Sequence, residues 1–214
     1  MTICVVGMGY VGLPLALAFA GKSELVYGLD IDKGKVEKLR GGESYFKTVD
    51  NEKVEEAVKS GCLVPTTDVS NVEECDSVII CVPTPLGKHK EPDTKYIRST
   101  MDSIIPYIKK GTLIVLESTT YPGCTREMIK TRIENERNYK CGSDIYIGYS
   151  PEREDPGNED SNVCKVPKVI SGETKDCIKK VEELYGKICM DLIPVSTLET
   201  AEAVKLTENI FRCV

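Results

Sequence analysis

The stretch Ile3-Cys4-Val5-Val6-Gly7-Met8-Gly9-Tyr10-Val11-Gly12, close to the amino terminus, decides the fold class. Its first four residues are a short apolar run that predicts a buried strand, and its glycines follow the pattern G-x-G-x-x-G at the start of a helix. In such a turn the first glycine allows a sharp bend, the second lets a pyrophosphate approach the backbone, and the third lets helix and strand pack closely. The helix amino terminus then offers N–H groups to an anionic ligand.

The next apolar run ends in an acidic residue, which makes the glycine pattern more specific. Residues 25–29 predict a second strand, and Asp30 follows it about 20 residues after the glycines, where a dinucleotide-binding fold carries its acidic residue. A carboxylate there accepts hydrogen bonds from ribose hydroxyls and repels a 2′-phosphate, so we predict NAD rather than NADP as the ligand. Lys35, on the charged stretch that follows, either reaches this ligand or lies on a solvated helix face.

The remaining sequence alternates apolar runs of strand length with helical stretches, in a chain of 214 residues of which 41% are hydrophobic. This alternation of strands and helices predicts an α/β fold of the Rossmann type, a doubly wound and mostly parallel sheet with helices on both faces. Besides the first two, the predicted strands are 77–82, 112–116, 144–149, 166–170 and 188–195. The predicted helices are 11–20, 33–40, 52–59, 94–108, 125–136, 175–185 and a last one from residue 198.

Charge and cysteine content restrict the possible functions. Lys plus Arg number 28 against 34 Asp plus Glu, so a nucleic-acid or anionic-membrane partner, which needs a basic face, is not expected. The ten cysteines form no C-x-x-C pair, and with a single histidine in the chain a metal site is not expected either. We therefore expect mostly reduced, buried thiols in a cytoplasmic protein.

Three further turns carry candidate ligand-binding residues directly after predicted strands. They are Pro83-Thr84-Pro85, Ser118-Thr119, and Glu152 in a polar loop. Ligands of parallel α/β sheets bind at the carboxyl ends of the strands, where these turns lie. Each turn also has a simpler explanation: a rigid strand end for the prolines, a helix N-cap for the hydroxyls, and a solvated connection for Glu152. Spacing in the sequence does not decide between these alternatives.

The last predicted helix carries a polar stripe formed by Glu202, Lys205 and Asn209. Residues three and four apart share one helix face, and by themselves these three indicate a solvated face. The apolar positions of this helix continue to Val214 without a glycine, proline or asparagine to cap it. We therefore expect the chain to be a piece of a longer protein.

Taken together, these motifs resemble the UDP-glucose/GDP-mannose dehydrogenase family, the nucleotide-sugar 6-dehydrogenases. The resemblance rests on dispersed motifs in the same order along the chain: Gly7-x-Gly9-Tyr10-Val11-Gly12-Leu13-Pro14 with Asp30, Val82-Pro83-Thr84-Pro85, Glu117-Ser118-Thr119, Ser150-Pro151-Glu152, and Glu202-Ala203-Val204-Lys205 with Asn209. The loop 150–158 is most similar to the branch acting on UDP-N-acetylglucosamine or UDP-N-acetylmannosamine. It departs from the glucose-type loop at Arg153 and Pro156.

The resemblance implies a two-step, four-electron oxidation of a sugar 6-hydroxymethyl group to a carboxylate, with two NAD as acceptors. It implies that Lys205 and Asn209 stabilise the alkoxide, and that Thr119 and Glu152 order and activate the hydrolytic water. The implied NAD site consists of Gly7, Gly9, Tyr10, Val11, Gly12, Asp30, Lys35, Pro83, Thr84, Ser118 and Thr119.

The nucleophilic cysteine of this family lies in a glycine-rich motif, which none of the ten cysteines here matches. The resemblance therefore implies an amino-terminal portion, with 1–196 as the NAD-binding domain and 197–214 as the start of a helical dimerisation domain. We expect this chain to bind NAD without turnover, and the longer protein to be a homodimer or larger assembly that uses a UDP-sugar.

Two alternatives stay open at this point. A dehydrogenase of 3-hydroxy acids would combine a similar Rossmann domain with a catalytic lysine on a following helix, a role that Lys205 fits, and it would need no cysteine. A non-catalytic module that responds to NAD would need only the glycine pattern and Asp30. The motifs around Ser118 and Glu152 favour the sugar dehydrogenase over the 3-hydroxy-acid dehydrogenase, and the NAD-responsive module stays open.

Overall fold

A computed structural model describes residues 1–22, 24–85, 87, 92–152 and 167–213, apart from the side chains of residues 209, 212 and 213. Within these ranges the chain forms one sheet in the order β3-β2-β1-β4-β5-β6-β7-β8. The strands are β1 (Thr2–Val6), β2 (Leu25–Leu29), β3 (Leu63–Thr66), β4 (Ser77–Ile80), β5 (Leu113–Leu116), β6 (Tyr146–Tyr149), β7 (Lys168–Gly172) and β8 (Leu192–Pro194). Strand β7 runs antiparallel to β6, and the other pairs are parallel.

Helices cover both faces of this sheet, so the predicted Rossmann-type fold is confirmed. They are α1 (Gly12–Ala20), α2 (Lys33–Arg40), α3 (Asn51–Lys59), α4 (Lys95–Ile104), α5 (Thr131–Arg137), α6 (Lys175–Tyr185) and α7 (Leu198–Cys213). Helices α1, α2, α3 and α6 pack on one face, around Phe19 and Tyr185, while α4, α5 and α7 pack on the other, around Met101 and Leu198. Alternate residues of β1 enter the two cores, because successive side chains of a strand point to opposite faces.

Strand β3 is missing from the sequence prediction. It is four residues long and contains Pro65, which argues against a strand in a sheet interior because proline donates no backbone hydrogen bond. In the structure β3 lies at the sheet edge, where it pairs with β2 alone and Pro65 stands opposite Gly28. A proline is tolerated at such an edge.

Several predicted elements differ from the observed ones in their bounds, and the predicted helix 125–136 is divided into a π-helical turn, Arg126–Lys130, and α5. The helix predicted over 94–108 ends at Ile104, and Pro106 lies in a short 3₁₀ turn, Ile105–Tyr107. The strand predicted over 188–195 is reduced to β8, and Val166, the predicted first residue of β7, lies outside the described residues.

Across the described ranges, no helix combines the length and apolar character that crossing a membrane requires.

The chain changes direction across the sheet between β1 and β4, and this positions the candidate site. From β1 the chain continues to β2 and β3 on one side, and from β4 to β5 and β6 on the other. The loops that follow β1 and β4 therefore diverge, which leaves a crevice at the carboxyl ends of the strands where α/β proteins bind their ligands.

Candidate functional site

The glycine turn, residues 7–12, joins β1 to α1 at this crevice. Gly7 has φ +94°, and a Cβ on it would lie 2.8 Å from the carbonyl oxygen of Cys81. A Cβ on Gly12 would lie 1.9 Å from the carbonyl oxygen of Gly7. A Cβ on Gly9, in contrast, would meet no atom within 4 Å among the described residues. Packing therefore requires glycine at the first and third positions, whereas the second leaves open space above the backbone.

Asp30, directly after β2, lies against this turn as predicted. It is 8% exposed, and its Oδ2 accepts a hydrogen bond from the backbone N–H of Met8 at 2.8 Å. Its Oδ1 accepts from the N–H of Asp32 at 2.9 Å. Lys35 Nζ lies 3.5 Å from Asp30 Oδ2, so Lys35 belongs to the same cluster and is not confined to a solvated face. The carboxylate thus faces the turn with a cation beside it.

Tyr45 is a member of this cluster that sequence reasoning missed. Its hydroxyl donates a hydrogen bond to the carbonyl oxygen of Met8, and Lys35 Nζ lies 5.8 Å from the centre of its ring. Burial, together with the negative charges of Asp30 and Asp32, raises the pKa of Tyr45, so the phenol stays protonated and remains a donor. Tyr45 follows no strand and forms no motif, so the sequence carries no signal for it. The backbone N–H and the carbonyl oxygen of Met8 are therefore both held by side chains that are distant in the sequence.

The exposed side of the glycine turn carries two more predicted residues. Tyr10 is exposed, and Val11, which precedes the first residue of α1, is half-buried. Across the crevice, Thr84 in the turn after β4 is half-buried and its neighbour Pro83 is exposed. Both turns follow strands at the carboxyl edge of the sheet.

The loop after β5, residues 117–125, is tied to the turn after β4 by Ser118. The Ser118 hydroxyl donates a hydrogen bond to the carbonyl oxygen of Val82 at 2.7 Å, and Tyr149 Oη donates to the carbonyl oxygen of Ser118 at 3.4 Å. Thr119, the next residue, is half-buried. Ser118 therefore joins two loops, and the interpretation of Ser118-Thr119 as a helix N-cap is wrong. A π-helical turn, Arg126–Lys130, begins several residues later.

A buried ion pair joins the loop after β6 to helix α7. Lys205 Nζ donates to the carbonyl oxygen of Glu152 at 2.6 Å and to Glu152 Oε2 at 3.1 Å. The two residues are 5% and 7% exposed, so the solvated interpretations of both positions are wrong. The other carboxylate oxygen, Glu152 Oε1, is buried and has no hydrogen-bond partner among the described residues. An acceptor in that situation indicates a missing donor, such as a water or a ligand hydroxyl.

Glu202, one turn before Lys205 on α7, is fully buried and holds the far end of the 117–125 loop. Its Oε2 accepts from the N–H of Gly123 at 2.5 Å, and its Oε1 accepts from the N–H and the hydroxyl of Thr125 at 2.8 and 2.6 Å. Burial raises the pKa of Glu202, and these hydrogen bonds oppose that effect. The expectation of a solvated stripe fails for Glu202 too. Asn209 lies one turn beyond Lys205, and its side chain is outside the described part of the chain.

A second buried ion pair joins the first residue of β7 to the residue that follows β5. Lys168 Nζ, at the start of β7, is 3.0 Å from Oε1 of Glu117 and 4.7 Å from the ring centre of Tyr185, whose hydroxyl donates to Glu117. Sequence reasoning singled out Glu117 only as part of a motif, and it missed Lys168 and Tyr185. The three come from β7, the end of β5, and α6, so only the folded sheet brings them together.

The structure describes the side chains of eight cysteines, and all eight are free thiols, as predicted. Six are buried, and Cys62 and Cys81 are half-buried. Cys164 lies outside the described residues, and so does the side chain of Cys213.

The chain is similar in sequence to known nucleotide-sugar dehydrogenases. Residues 1–189 match the NAD-binding domain of the UDP-glucose/GDP-mannose dehydrogenase family. A UDP-N-acetyl-D-glucosamine 6-dehydrogenase from Pseudomonas aeruginosa is 37% identical over 210 residues, and a UDP-N-acetyl-D-mannosamine dehydrogenase from Escherichia coli K12 is 39% identical over 221. The alignments cover 98% and 100% of this chain but 49% and 52% of the relatives, so the chain spans about half of their length.

The similarity extends to three-dimensional structure. A solved structure of a UDP-D-ManNAc dehydrogenase from Pyrococcus horikoshii is 32% identical and superposes with a TM-score of 0.92. The match covers 99% of this chain and 50% of the other.

Proposed function

Since the chain belongs to the UDP-glucose/GDP-mannose dehydrogenase family and contains its NAD-binding domain, we propose that it serves the oxidation of the 6-hydroxymethyl group of a UDP-N-acetylhexosamine to a carboxylate. The observation that carries this proposal is the buried contact between Glu152 and Lys205, which leaves one carboxylate oxygen without a partner among the described residues. Two of the similar proteins are named for UDP-N-acetylglucosamine and UDP-N-acetylmannosamine, and this supports the amino-sugar branch.

The residues of the glycine turn fit a dinucleotide. The open space above Gly9 suits a pyrophosphate, and the amino terminus of α1 supplies N–H groups at the same point. Asp30 has each carboxylate oxygen bonded to one backbone N–H, which leaves further lone pairs for a ribose diol. Bound NAD would supply the hydride acceptor, and Asp30 would disfavour a 2′-phosphate in its place.

Lys205 and Glu152 suit the alcohol end of the reaction. Two of the three N–H donors of the Lys205 ammonium group bond to Glu152, and we assign the third to the alkoxide oxygen that forms when the alcohol loses its proton. We assign the unpartnered Oε1 of Glu152 to a water, which it orients and from which it accepts a proton. Asn209 and Thr119 complete this set by resemblance to the family.

The proposal extends to the organisation of the protein. We assign residues 1–196 to the NAD-binding domain and 197–214 to the beginning of a helical dimerisation domain, and we propose that the longer protein forms homodimers or larger assemblies in the cytoplasm. The cysteines of this chain do not match the motif of the family's nucleophile, so we propose that the 214 residues bind NAD(H) without turnover. A 3-hydroxy-acid dehydrogenase would use Lys205 as well, but the paired Glu152 supports the sugar enzyme.

Calorimetry and absorbance on the purified 214-residue chain test the proposal. We expect NAD and NADH to bind, NADP to bind at least about tenfold more weakly because Asp30 repels its phosphate, and no steady rise at 340 nm with NAD plus UDP-N-acetylglucosamine or UDP-N-acetylmannosamine. Equal affinities for NAD and NADP would contradict the role of Asp30. Steady NADH formation would contradict the proposed lack of turnover while leaving NAD binding intact.

A further inference from the structure

Glu202 has no role in the steps proposed above, yet its carboxylate is hydrogen-bonded to a loop of the site. Its carboxylate is fully buried and accepts three hydrogen bonds, all from Gly123 and Thr125. The bonds span 77 to 79 residues of sequence, so they join α7 to a loop that is distant from it in the chain. Burying a carboxylate is costly unless such donors compensate.

The loop that Glu202 holds is anchored at both ends. At the start of the loop Ser118 is bonded to the turn after β4 through its hydroxyl, and at the end Gly123 and Thr125 are bonded to Glu202. The intervening residue Thr119 is half-buried and lies at the carboxyl edge of the sheet. The same helix turn places Lys205 against Glu152. Glu202 therefore fixes the position of α7 relative to the 117–125 loop.

The sheet order shows which part of a bound dinucleotide this loop would meet. Asp30 follows β2, the glycine turn follows β1, and the 117–125 loop follows β5, with β4 between β1 and β5. Neighbouring strands are about 4.8 Å apart, so β2 and β5 are roughly 14 Å apart, close to the span of an extended dinucleotide. With the adenosine at Asp30 and the pyrophosphate above Gly9, the nicotinamide of bound NAD would lie toward the 117–125 loop.

We propose that Glu202 is a positioning residue that holds the 117–125 loop, through Gly123 and Thr125, so that Ser118 and Thr119 contact the nicotinamide end of bound NAD. This inference rests on the proposed NAD site. The carboxylate is required because an amide at this position would direct its NH₂ group at one of the donors that the carboxylate accepts. Glu202 acts on the cofactor only through the loop, and it touches no reacting atom.

The test compares two ligands that differ only in the nicotinamide end. For Glu202→Gln we expect NADH to bind about tenfold more weakly, with ADP-ribose, which lacks the nicotinamide, within about twofold of the unmodified chain. The fluorescence of bound NADH should shift toward that of free NADH. The matched control is Glu199→Gln, one turn earlier on α7, which removes a half-exposed partner of Arg126 and should alter neither ligand.

A second variant covers the case in which Glu202→Gln does not fold. Thr125→Val removes only the hydroxyl that donates to Glu202 and keeps the residue volume, so NADH should weaken by about two- to threefold with ADP-ribose unchanged. Equal weakening of both ligands, or of neither, in the folded variants would overturn the inference. Failure of the unmodified chain to bind ADP-ribose would instead overturn the proposed NAD site, so the two failures are distinguishable.

Discussion

The glycine turn and the Glu152–Lys205 pair lie at the same edge of the sheet, but contacts of different kinds hold them. The turn depends on the backbone: two glycines are required because carbonyl oxygens occupy the space of a side chain. Around the Glu152–Lys205 pair, buried charged side chains from separate elements meet across the loops after β5 and β6. The first region is therefore sensitive to added atoms, and the second to lost charges.

This difference also separates the energetic consequences of mutation. A methyl group added to the turn either strikes the backbone or fills the space of a ligand, depending on the glycine. Removal of one member of a buried ion pair leaves an uncompensated charge, which costs more than the pair itself contributes. A substitution at the Glu152–Lys205 pair should therefore change both stability and binding. In the glycine turn, a substitution at one glycine should change stability and a substitution at another should change binding.

The largest expected effect is on the second region. Lys205→Ala leaves Glu152 buried without its cation, so we expect the free energy of unfolding at pH 7 to fall by about 3–5 kcal/mol in urea denaturation. The double variant Lys205→Met with Glu152→Gln removes both charges at similar volume and should recover most of this loss. A decrease below about 1 kcal/mol for Lys205→Ala would show that the pair is not buried as described.

The next largest expected effect is a loss of stability that distinguishes Gly12 from Gly9 within the glycine turn. Gly12→Ala places a Cβ 1.9 Å from the Gly7 carbonyl oxygen, so we expect it to destabilise the chain by about 3 kcal/mol, measured by urea denaturation. Gly9→Ala is the matched control: its Cβ meets open space, so stability should change little while NAD binding weakens. If Gly9→Ala binds NAD normally, the pyrophosphate does not lie above this residue.

A smaller effect is expected on NAD affinity at Asp30. Asp30→Ala removes charge-assisted hydrogen bonds to the ribose, and we expect calorimetry to show a loss of about 1.5–3 kcal/mol in binding free energy. Asp30→Asn, which retains an acceptor for the Met8 N–H but not the charge, should lie between this variant and the unmodified chain. Unchanged affinity in Asp30→Ala would remove the ribose contact from the proposal.

The smallest expected effect is on the pH dependence of stability. It concerns Glu173, after β7, which forms ion pairs with Arg126 and Lys130 in the turn before α5. Burial opposes ionisation of Glu173, but hydrogen bonds from Arg126 and Lys130 outweigh it and lower its pKa. Because the pKa of Glu173 is lower in the folded state, its ionised form stabilises the fold at pH values above the pKa of the unfolded state, about 4.3. This stabilisation is lost as the pH falls through the pKa of the folded state. Between pH 6 and pH 3 the unmodified chain should therefore lose about 1 kcal/mol more stability than Glu173→Gln.

The control for this pH dependence is Glu183→Gln, because Glu183 lies in an exposed pair, 3.9 Å from Lys180. Its stability should follow the pH curve of the unmodified chain. If Glu173→Gln follows that curve as well, the Arg126–Glu173 contact contributes nothing measurable to stability.

The sequence was most informative where the interacting residues are close together in the chain. The strand, glycines and helix of residues 3–20 are contiguous, and Asp30 ends the next strand, so spacing alone predicted that they meet. Strand β3 was missed because Pro65 argues against a strand unless that strand is known to lie at the sheet edge. Tyr45 was missed because its contact with Met8 spans 37 residues and has no periodic pattern.

The amino-acid sequence by itself determined the doubly wound sheet, the glycine turn and the acidic residue beside it, because periodicity and steric demands act between near neighbours in the chain. Only the tertiary structure decided that Glu202 and Lys205 are buried and not solvated. Their partners are 77 and 53 residues away, and the contacts exist because α7 packs against the loops that follow β5 and β6. A polar residue on a helix has the same local pattern in either environment, and its burial depends on what packs against that face.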